Sequence, residues 1–480
     1  MNYKMIKYTL GWLLLFETGF FLVPLLTALC FSETKQALSI LISMAISGAA
    51  AALFLFKKPE NKKLYSRDGF CIVALSWILL SLFGSFPFII SGAIPNFIDA
   101  LFETASGFST TGASILADVE SLPKCLIMWR SFTHWVGGMG VLVFIIAFIP
   151  LSGGRNLHIM RAESPGPEVS KLVPKMKTTA LILYSIYFIL TILQFIILLF
   201  GKMSIFEALN TAFATAGTGG FGFRNDSFAS FSPYIQIVVT VFMLIFSLNF
   251  NSYYLIFKGK LKDAFNLELR VFLYIVAASI AIISINLILS DTIVNIGDSV
   301  RHSAFSVASL ISTTGFSTEN FDLWPTLSKT VLVLIMFIGA CAGSTGGGIK
   351  VSRIIILVKG VFREFRYTLN PRQIKKITID SKPIGDEVVR SVNSYIVCYM
   401  VVFITSVFLL SFEGHDLVTT FTSVTATINN IGPGLAKIGP AGNYAFFSPF
   451  AKVVLTFNML AGRLELLPML LLFHPATWKK

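Results

Sequence analysis

The 480 residues are 55% hydrophobic and only 13% charged, with a mean hydropathy of +0.76. A soluble domain carries roughly 25% charged residues, and a disordered chain combines low hydrophobicity with high charge, so both classes are excluded. Apolar runs of about 20 residues recur instead, the length that spans a hydrocarbon core of about 30 Å as a helix. The composition therefore describes an all-α polytopic membrane protein.

In chain order, the apolar runs predict ten spanning helices, near 8–31, 37–56, 70–92, 124–150, 178–200, 233–256, 271–290, 329–357, 391–412 and 449–473. The first run is too long for the apolar core of a signal peptide and is read as a retained span. Alternate connections collect the basic residues. The N-terminus, 57–68, 151–178, 257–270, 358–390 and the tail together hold 26 of the 38 Lys and Arg. The opposite connections carry 13 of the 25 acids, among them Glu33, Asp99, Glu103, Asp118, Glu207, Asp298 and Asp416. By the positive-inside rule both termini and the basic links lie in the cytoplasm. The net charge of +13 then reports topology in a lipid bilayer, with no nucleic acid implied. Cys30, Cys71, Cys125, Cys341 and Cys398 are scattered with no CxxC pair, and the five histidines show no metal-ligand spacing.

Four outer connections contain one pattern. They read FIDALFETASGFSTTGAS (97–114), IFEALNTAFATAGTGGFGF (205–223), GDSVRHSAFSVASLISTTGFST (297–318) and HDLVTTFTSVTATINNIGPGL (415–435). Each has an acid near its start, an apolar stripe at helical spacing and then a glycine in a turn of small residues. The aligned glycines are Gly112, Gly220, Gly315 and Gly432, spaced by 108, 95 and 117 residues. The repeating unit is helix, short re-entrant helix, glycine turn, helix. It divides the chain into an N-terminal helix pair (1–60) and four pore repeats (61–155, 156–260, 261–370 and 371–480), the third with a broken second helix.

A re-entrant segment leaves backbone polar groups unpaired at membrane depth, which is tolerated only inside protein or beside a watery cavity. Four such segments can surround one axis with pseudo-fourfold symmetry. Their C-terminal, partially negative helix ends would favour a cation there, and the turn carbonyls can replace its hydration shell, as in potassium channels. Thr110 and Thr111, Thr218 and Gly219, Thr313 and Thr314, and Asn430 and Ile431 precede the four glycines. No carboxylate stands beside them, which argues against a divalent-selective ring.

The eighth run is strongly apolar at both ends, but Gly339 to Gly348 holds five glycines, two alanines, Cys341, Ser344 and Thr345. Continuous helix there costs about 1 kcal/mol per glycine relative to alanine, so a break at mid-membrane is predicted. Gly343 to Gly348 imitates a phosphate-binding loop, but Ile349 intervenes before Lys350 and no strand precedes it. In the tenth run, Arg463 and Glu465 place charges in apolar sequence, where they are functional candidates. Arg463 is expected to bond free carbonyls of the broken loop or to oppose a cation in the pore. Arg130 and His134, in a glycine-rich stretch of the fourth run, are read as tight packing and an outer polar anchor without contact to the ion.

These residues resemble the Trk/Ktr/HKT superfamily of potassium transporters, and within it the bacterial TrkH/TrkG type. The strings are SGFSTTGAS, RSFTHWVGGMG, STTGFST, CAGSTGGGIKVSR, NNIGPGL and MLAGRLELLPMLLLFHPATW, and the two additional N-terminal spans separate the chain from the shorter KtrB type. The resemblance implies potassium uptake across the bacterial inner membrane by a homodimer with one pore per protomer. It implies that Gly112, Gly220, Gly315 and Gly432, with the turn residues before them, form the potassium-binding filter. It implies an intramembrane gating loop of Gly343, Ser344, Thr345, Gly346, Gly347 and Gly348, followed by Lys350 and working with Arg463. It also implies a cytosolic TrkA-type regulatory subunit that binds NAD or ATP, with no cofactor on this chain. One departure is the second turn, GGFGF, where the family more often has Ser after the aromatic. The competing reading is a proton- or sodium-coupled symporter, which needs a charged coupling site at the midplane. Glu17 and Glu465 are the only acids clearly inside spans, and neither is in the four repeats' turns. An enzyme is not expected, because no nucleophile–base or metal constellation is present.

Overall fold

The computed structural model describes residues 1–61, 64–140, 176–372, 376–380 and 382–478. The N-terminal pair comprises α1 (Tyr3–Phe20) and α2 (Leu22–Cys30), which form one span, and α3 (Thr34–Leu55), which packs on α1. Small residues permit this approach: the Thr18 hydroxyl reaches Ser47 at 3.1 Å, and a Cβ on Gly11 would lie 2.9 Å from Leu55. Then follow α4 (Ser66–Gly84), α5 (Phe86–Ser91), the short α6 (Phe97–Phe108) and α7 (Lys124–Gly138). Next come α8 (Met176–Phe200), the short α9 (Ile205–Ala216), α10 (Pro233–Phe246) and α11 (Phe250–Phe257). The third group is α12 (Leu267–Leu289), the short α13 (Ile296–Ile311), α14 (Thr326–Ile338) and α15 (Val351–Leu369). The last is α16 (Asp386–Leu410), the short α17 (Leu417–Ile428), α18 (Pro449–Arg463) and α19 (Leu467–Phe473). A two-residue hairpin, Thr378–Ile379 with Lys382–Pro383, interrupts the helical pattern in the basic link before α16.

Not every expected span is one continuous helix. Among the described residues, six helices are long and apolar enough to cross a membrane, and the pair α10–α11, bent by 90°, supplies a seventh. The 329–357 run breaks as predicted. The runs at 233–256 and 449–473 were expected to be continuous but are interrupted at 247–249 and 464–466. In the 124–150 run the helix ends at Gly138; residues 141–150, and most of the basic link that follows, lie outside the described residues. Helices α7, α14 and α18 have 13–15 residues, about 20–23 Å at 1.5 Å per residue, too short to cross alone.

The short helices pack cyclically. Helix α9 lies on α7, α13 on α10, α17 on α14, and α6 on α18, so the first group closes on the last. The main core joins the N-terminal pair to the first, third and last groups and includes the fully buried Trp77, Trp129, Phe102 and Phe108, while a second cluster lies between α9, α10 and α13.

Candidate functional site: four glycine turns and a broken helix

Each short helix starts on a polar cap. Asn96 accepts from the Ile98 and Asp99 amides, Ser204 from Glu207, Asn295 from Gly297 and Asp298, and Asp416 from Thr419. The acid seen near the start of every stretch therefore sits in the first turn or at the cap, where the helix dipole favours negative charge. Each helix also ends the same way. The residue before the glycine donates its amide five residues back: Thr111 to Ser106 at 2.9 Å, Gly219 to Ala214 at 2.9 Å, Thr314 to Ser309 at 2.8 Å and Ile431 to Ala426 at 2.9 Å. This closure needs a left-handed residue one position earlier. It is supplied by Thr110, Thr218, Thr313 and Asn430, at φ +58°, +53°, +62° and +56°. A β-branched threonine is a poor occupant of that region, and the cost of about 1–2 kcal/mol each marks three of the turns as strained. The glycines themselves lie at φ +79°, +79°, +86° and +91°.

The turns meet one another in chain order. A Cβ on Gly112 would strike the Gly219 carbonyl oxygen, one on Gly220 that of Thr314, and one on Gly315 that of Ile431. A Cβ on Gly432 would lie 2.8 Å from the Thr111 carbonyl oxygen and 3.0 Å from that of Gly112. All twelve sequence-predicted turn residues are thus gathered in one place. Side chains brace the assembly. Asn430 Nδ2 donates to Thr111 Oγ1 at 2.9 Å and to the Met459 carbonyl at 2.8 Å. The Tyr444 hydroxyl donates to the Gly432 carbonyl at 2.7 Å.

Arg130 and His134 are both buried, as tight packing requires. His134 Nδ1 lies 2.7 Å from the Gly107 carbonyl, while the Phe221 amide reaches Nε2 at 3.2 Å, so one ring ties the first turn region to the second. Arg130 Nε pairs with Glu103 Oε1 at 2.8 Å, and its guanidinium lies 4.0 Å from the Phe221 ring centre. Glu103 also accepts from Ser114 and the Ile115 amide. A second pair, Lys452 Nζ to Asp99 Oδ1 at 2.6 Å, joins α18 to α6. In the outer connections Asn225 Nδ2 donates to Asp118 at 2.7 Å, and that bond holds the Asp118 carboxyl below its usual value.

The broken segment lies against the ends of the third and fourth short helices. The Gly347 amide donates to Thr313 Oγ1 at 2.7 Å, a Cβ on Gly346 would be 2.7 Å from the Ser312 carbonyl oxygen, and one on Gly347 would strike that of Asn429. Gly339, Gly343, Gly348 and Lys350 all have positive φ. Lys350 is buried and points its ammonium back into the loop, donating to the Cys341 carbonyl at 3.3 Å and to the Gly346 carbonyl. Arg463 donates to the Thr345 carbonyl at 2.6 Å, and to the carbonyls of Gly137 and, at 2.6 Å, Gly138 at the end of α7. Of the predicted loop residues, Gly343 alone is exposed; its carbonyl accepts from the Phe250 amide at 3.1 Å, away from the turns. Glu465 pairs with Arg353.

The TrkH family model, described as a cation transport protein, matches residues 34–480. The chain belongs to the TrkH family. It is 34% identical over 487 residues to the Trk system potassium uptake protein TrkH of Escherichia coli K12, covering 100% of both chains. It is 31% identical to TrkG of the same organism, with 99% of each covered. The crystal structure of the potassium transporter TrkH from Vibrio parahaemolyticus superposes with a TM-score of 0.89 at 31% identity, again over 100% of both chains. Within the TrkH family the named relatives are transporters, which are not enzymes. Several groups that hold this TrkH-family site together were not singled out from sequence: Glu103, Asn430 as a brace, Tyr444 and Lys452. The one available signal was Arg130 and His134, four residues apart on one helix face.

Proposed function

We propose that this chain carries potassium into the bacterial cell across the inner membrane, through a channel-like filter built from the four glycine turns. The observation that carries the reading is the cyclic contact of those turns. Left-handed residues stand at the first and third positions of every turn, with an ordinary one between. Alternation of that kind presents successive carbonyl oxygens to one side. A ring of carbonyls can replace a potassium ion's water, and four helix C-termini add partial negative charge. The filter residues are Thr110–Gly112, Thr218–Gly220, Thr313–Gly315 and Asn430–Gly432, one turn from each of the four pore repeats. The potassium named in the relatives' titles agrees with this chemistry.

The 339–350 loop is the gate in this reading. It lies where the short helices end, Lys350 ties it internally, and Arg463 ties it to α7. The regulatory partner is a cytosolic TrkA-type subunit carrying NAD or ATP, docked on the basic links, and the working assembly is a homodimer with all termini cytoplasmic. A coupled symporter is the second reading. It is less well supported, because Glu465 is already paired with Arg353 and Glu17 lies on α1, outside the turns. The test is cation flux in proteoliposomes holding this chain alone, comparing potassium, rubidium, sodium and lithium. Selective potassium and rubidium flux without a fixed proton stoichiometry is expected. A preparation silent both with the partner subunit and as Arg463→Ala would refute the pore assignment.

A further inference from the structure

We propose that Glu268 is the latch that holds the two ends of the broken segment together and so positions the gate. Glu268 is the second residue of α12, and its side chain is almost fully enclosed. One carboxylate oxygen, Oε1, accepts from the Ala342 amide at 2.7 Å and from the Ser352 amide at 3.1 Å. Ala342 stands near the start of the break and Ser352 in the first turn of α15, so a single oxygen joins backbone ten residues apart. Both amides are orphans by necessity. Ala342 is in non-helical backbone, and Ser352 is among the first residues of a helix, whose amides have no partner inside it. Without an acceptor, a buried backbone amide is costly.

Lys350 and Glu268 divide the loop by polarity. The ammonium takes the loop's carbonyls, at Cys341 and Gly346, and the carboxylate takes its amides. The segment's other ties run to the neighbouring break, to Thr313 and to Arg463. The Cys341 amide donates to the Ser247 carbonyl at 3.0 Å, and Thr345 Oγ1 to that of Phe246 at 3.1 Å. Glu268 is therefore the side chain that connects the segment to the first helix of its own repeat. Bonds to a charged acceptor are the stronger kind, so releasing two of them detaches both ends from α12 at once and leaves them joined through the Val351 amide on the Ala340 carbonyl, at 3.1 Å, and the Lys350 ammonium.

The inference rests on the reading of 339–350 as the gate. It is tested by rubidium leak into proteoliposomes of the full chain without any partner. Glu268→Ala is expected to raise the leak roughly tenfold or more while leaving the rubidium-to-sodium ratio unchanged, because the turns are untouched. Glu268→Gln keeps an accepting oxygen but loses the charge that strengthens both bonds, so its leak is expected to fall between the parent and Ala values, an outcome that loss of fold alone would not give. Arg463→Ala is run alongside. A leak in Arg463→Ala but none in Glu268→Ala overturns the latch and leaves the gate. No leak in either overturns both. Equal leaks in the Gln and Ala variants also overturn the latch, since the two amide bonds would then not be what holds the loop. Should Glu268→Ala not yield dispersed protein, Glu268→Asp withdraws the oxygen by one methylene, and an unchanged leak there overturns the latch as well.

Discussion

Replacing Gly315 with Ser tests the filter where the third and fourth turns meet. Gly315 sits at φ +86°, and a Cβ there would strike the Ile431 carbonyl oxygen and lie 2.8 Å from Pro433 Cδ. Carbon–carbon contact begins near 3.5–4.0 Å, so the third and fourth turns must part by about 0.7–1.2 Å. Holding a non-glycine residue left-handed costs about 1–2 kcal/mol more. Neither obstacle is a flexible side chain, so the backbone carbonyls themselves must move. If ion discrimination rests on their placement, a loss of about 1.4 kcal/mol of it is a tenfold fall in the ratio of potassium to sodium flux. The assay is paired rubidium and sodium uptake into proteoliposomes, with Gly385→Ser as the control, because nothing lies within 4 Å of a Cβ at Gly385. A folded Gly315→Ser protein with the parent flux ratio would refute the filter assignment.

Arg463→Ala removes charge-assisted bonds to Thr345, Gly137 and Gly138. The Thr345 bond alone is worth about 1.5–3 kcal/mol, so basal leak is expected to rise roughly 10- to 100-fold; an equal or lower leak removes Arg463 from the gate. Arg130→Met leaves Glu103 buried without its countercharge and should cost about 3–5 kcal/mol, seen as a lower unfolding temperature in detergent. Pairing it with Glu103→Leu should recover most of the loss, and a double variant as unstable as the single one contradicts the ion-pair account. Tyr444→Phe frees the Gly432 carbonyl at about 0.5–1.5 kcal/mol. A reduced potassium-to-sodium ratio with unchanged expression is expected, and no change would show that the hydroxyl does not hold the fourth turn.

The four stretches were legible because each repeats the same three signals: a capping residue or acid, an apolar stripe and a glycine four positions past the helix end. The loop at 339–350 was legible because five glycines cannot sustain a helix cheaply. The breaks at 247–249 and 464–466 carry no glycine run, though Pro468, in the first turn of α19, marks the second. Their residues are Ser-Leu-Asn and Leu-Glu-Leu, and the second bends through Glu465 and Leu466 at φ +57° and +66°. What supports the first is tertiary: the Ser247 carbonyl accepts from Cys341, and Asn249 caps the Asn251 amide. Hydropathy gave no sign of these two interruptions, since it registers apolar length and not breaks in the helix. Arg463 stood out as a charge in an apolar run. Glu268 did not, because it sits at the edge of a basic link where an acid attracts no notice, and its role exists only once Ala342 and Ser352 are brought to it.

The closing of the last turn on the first sets an order on how the protein is made. Thr111 waits for Asn430, which lies 319 residues further along the chain. At about 5–20 residues per second of synthesis, the first turn spends about 15–60 s in the membrane before its final neighbour exists. Until then the Thr111 and Gly112 carbonyls lack the turn they pack against, and the strained Thr110 has only its own helix end to hold it. The ring is therefore completed by the C-terminal repeat, as an arch is by its last stone. A truncation that spares every earlier filter residue would still leave the first turn open.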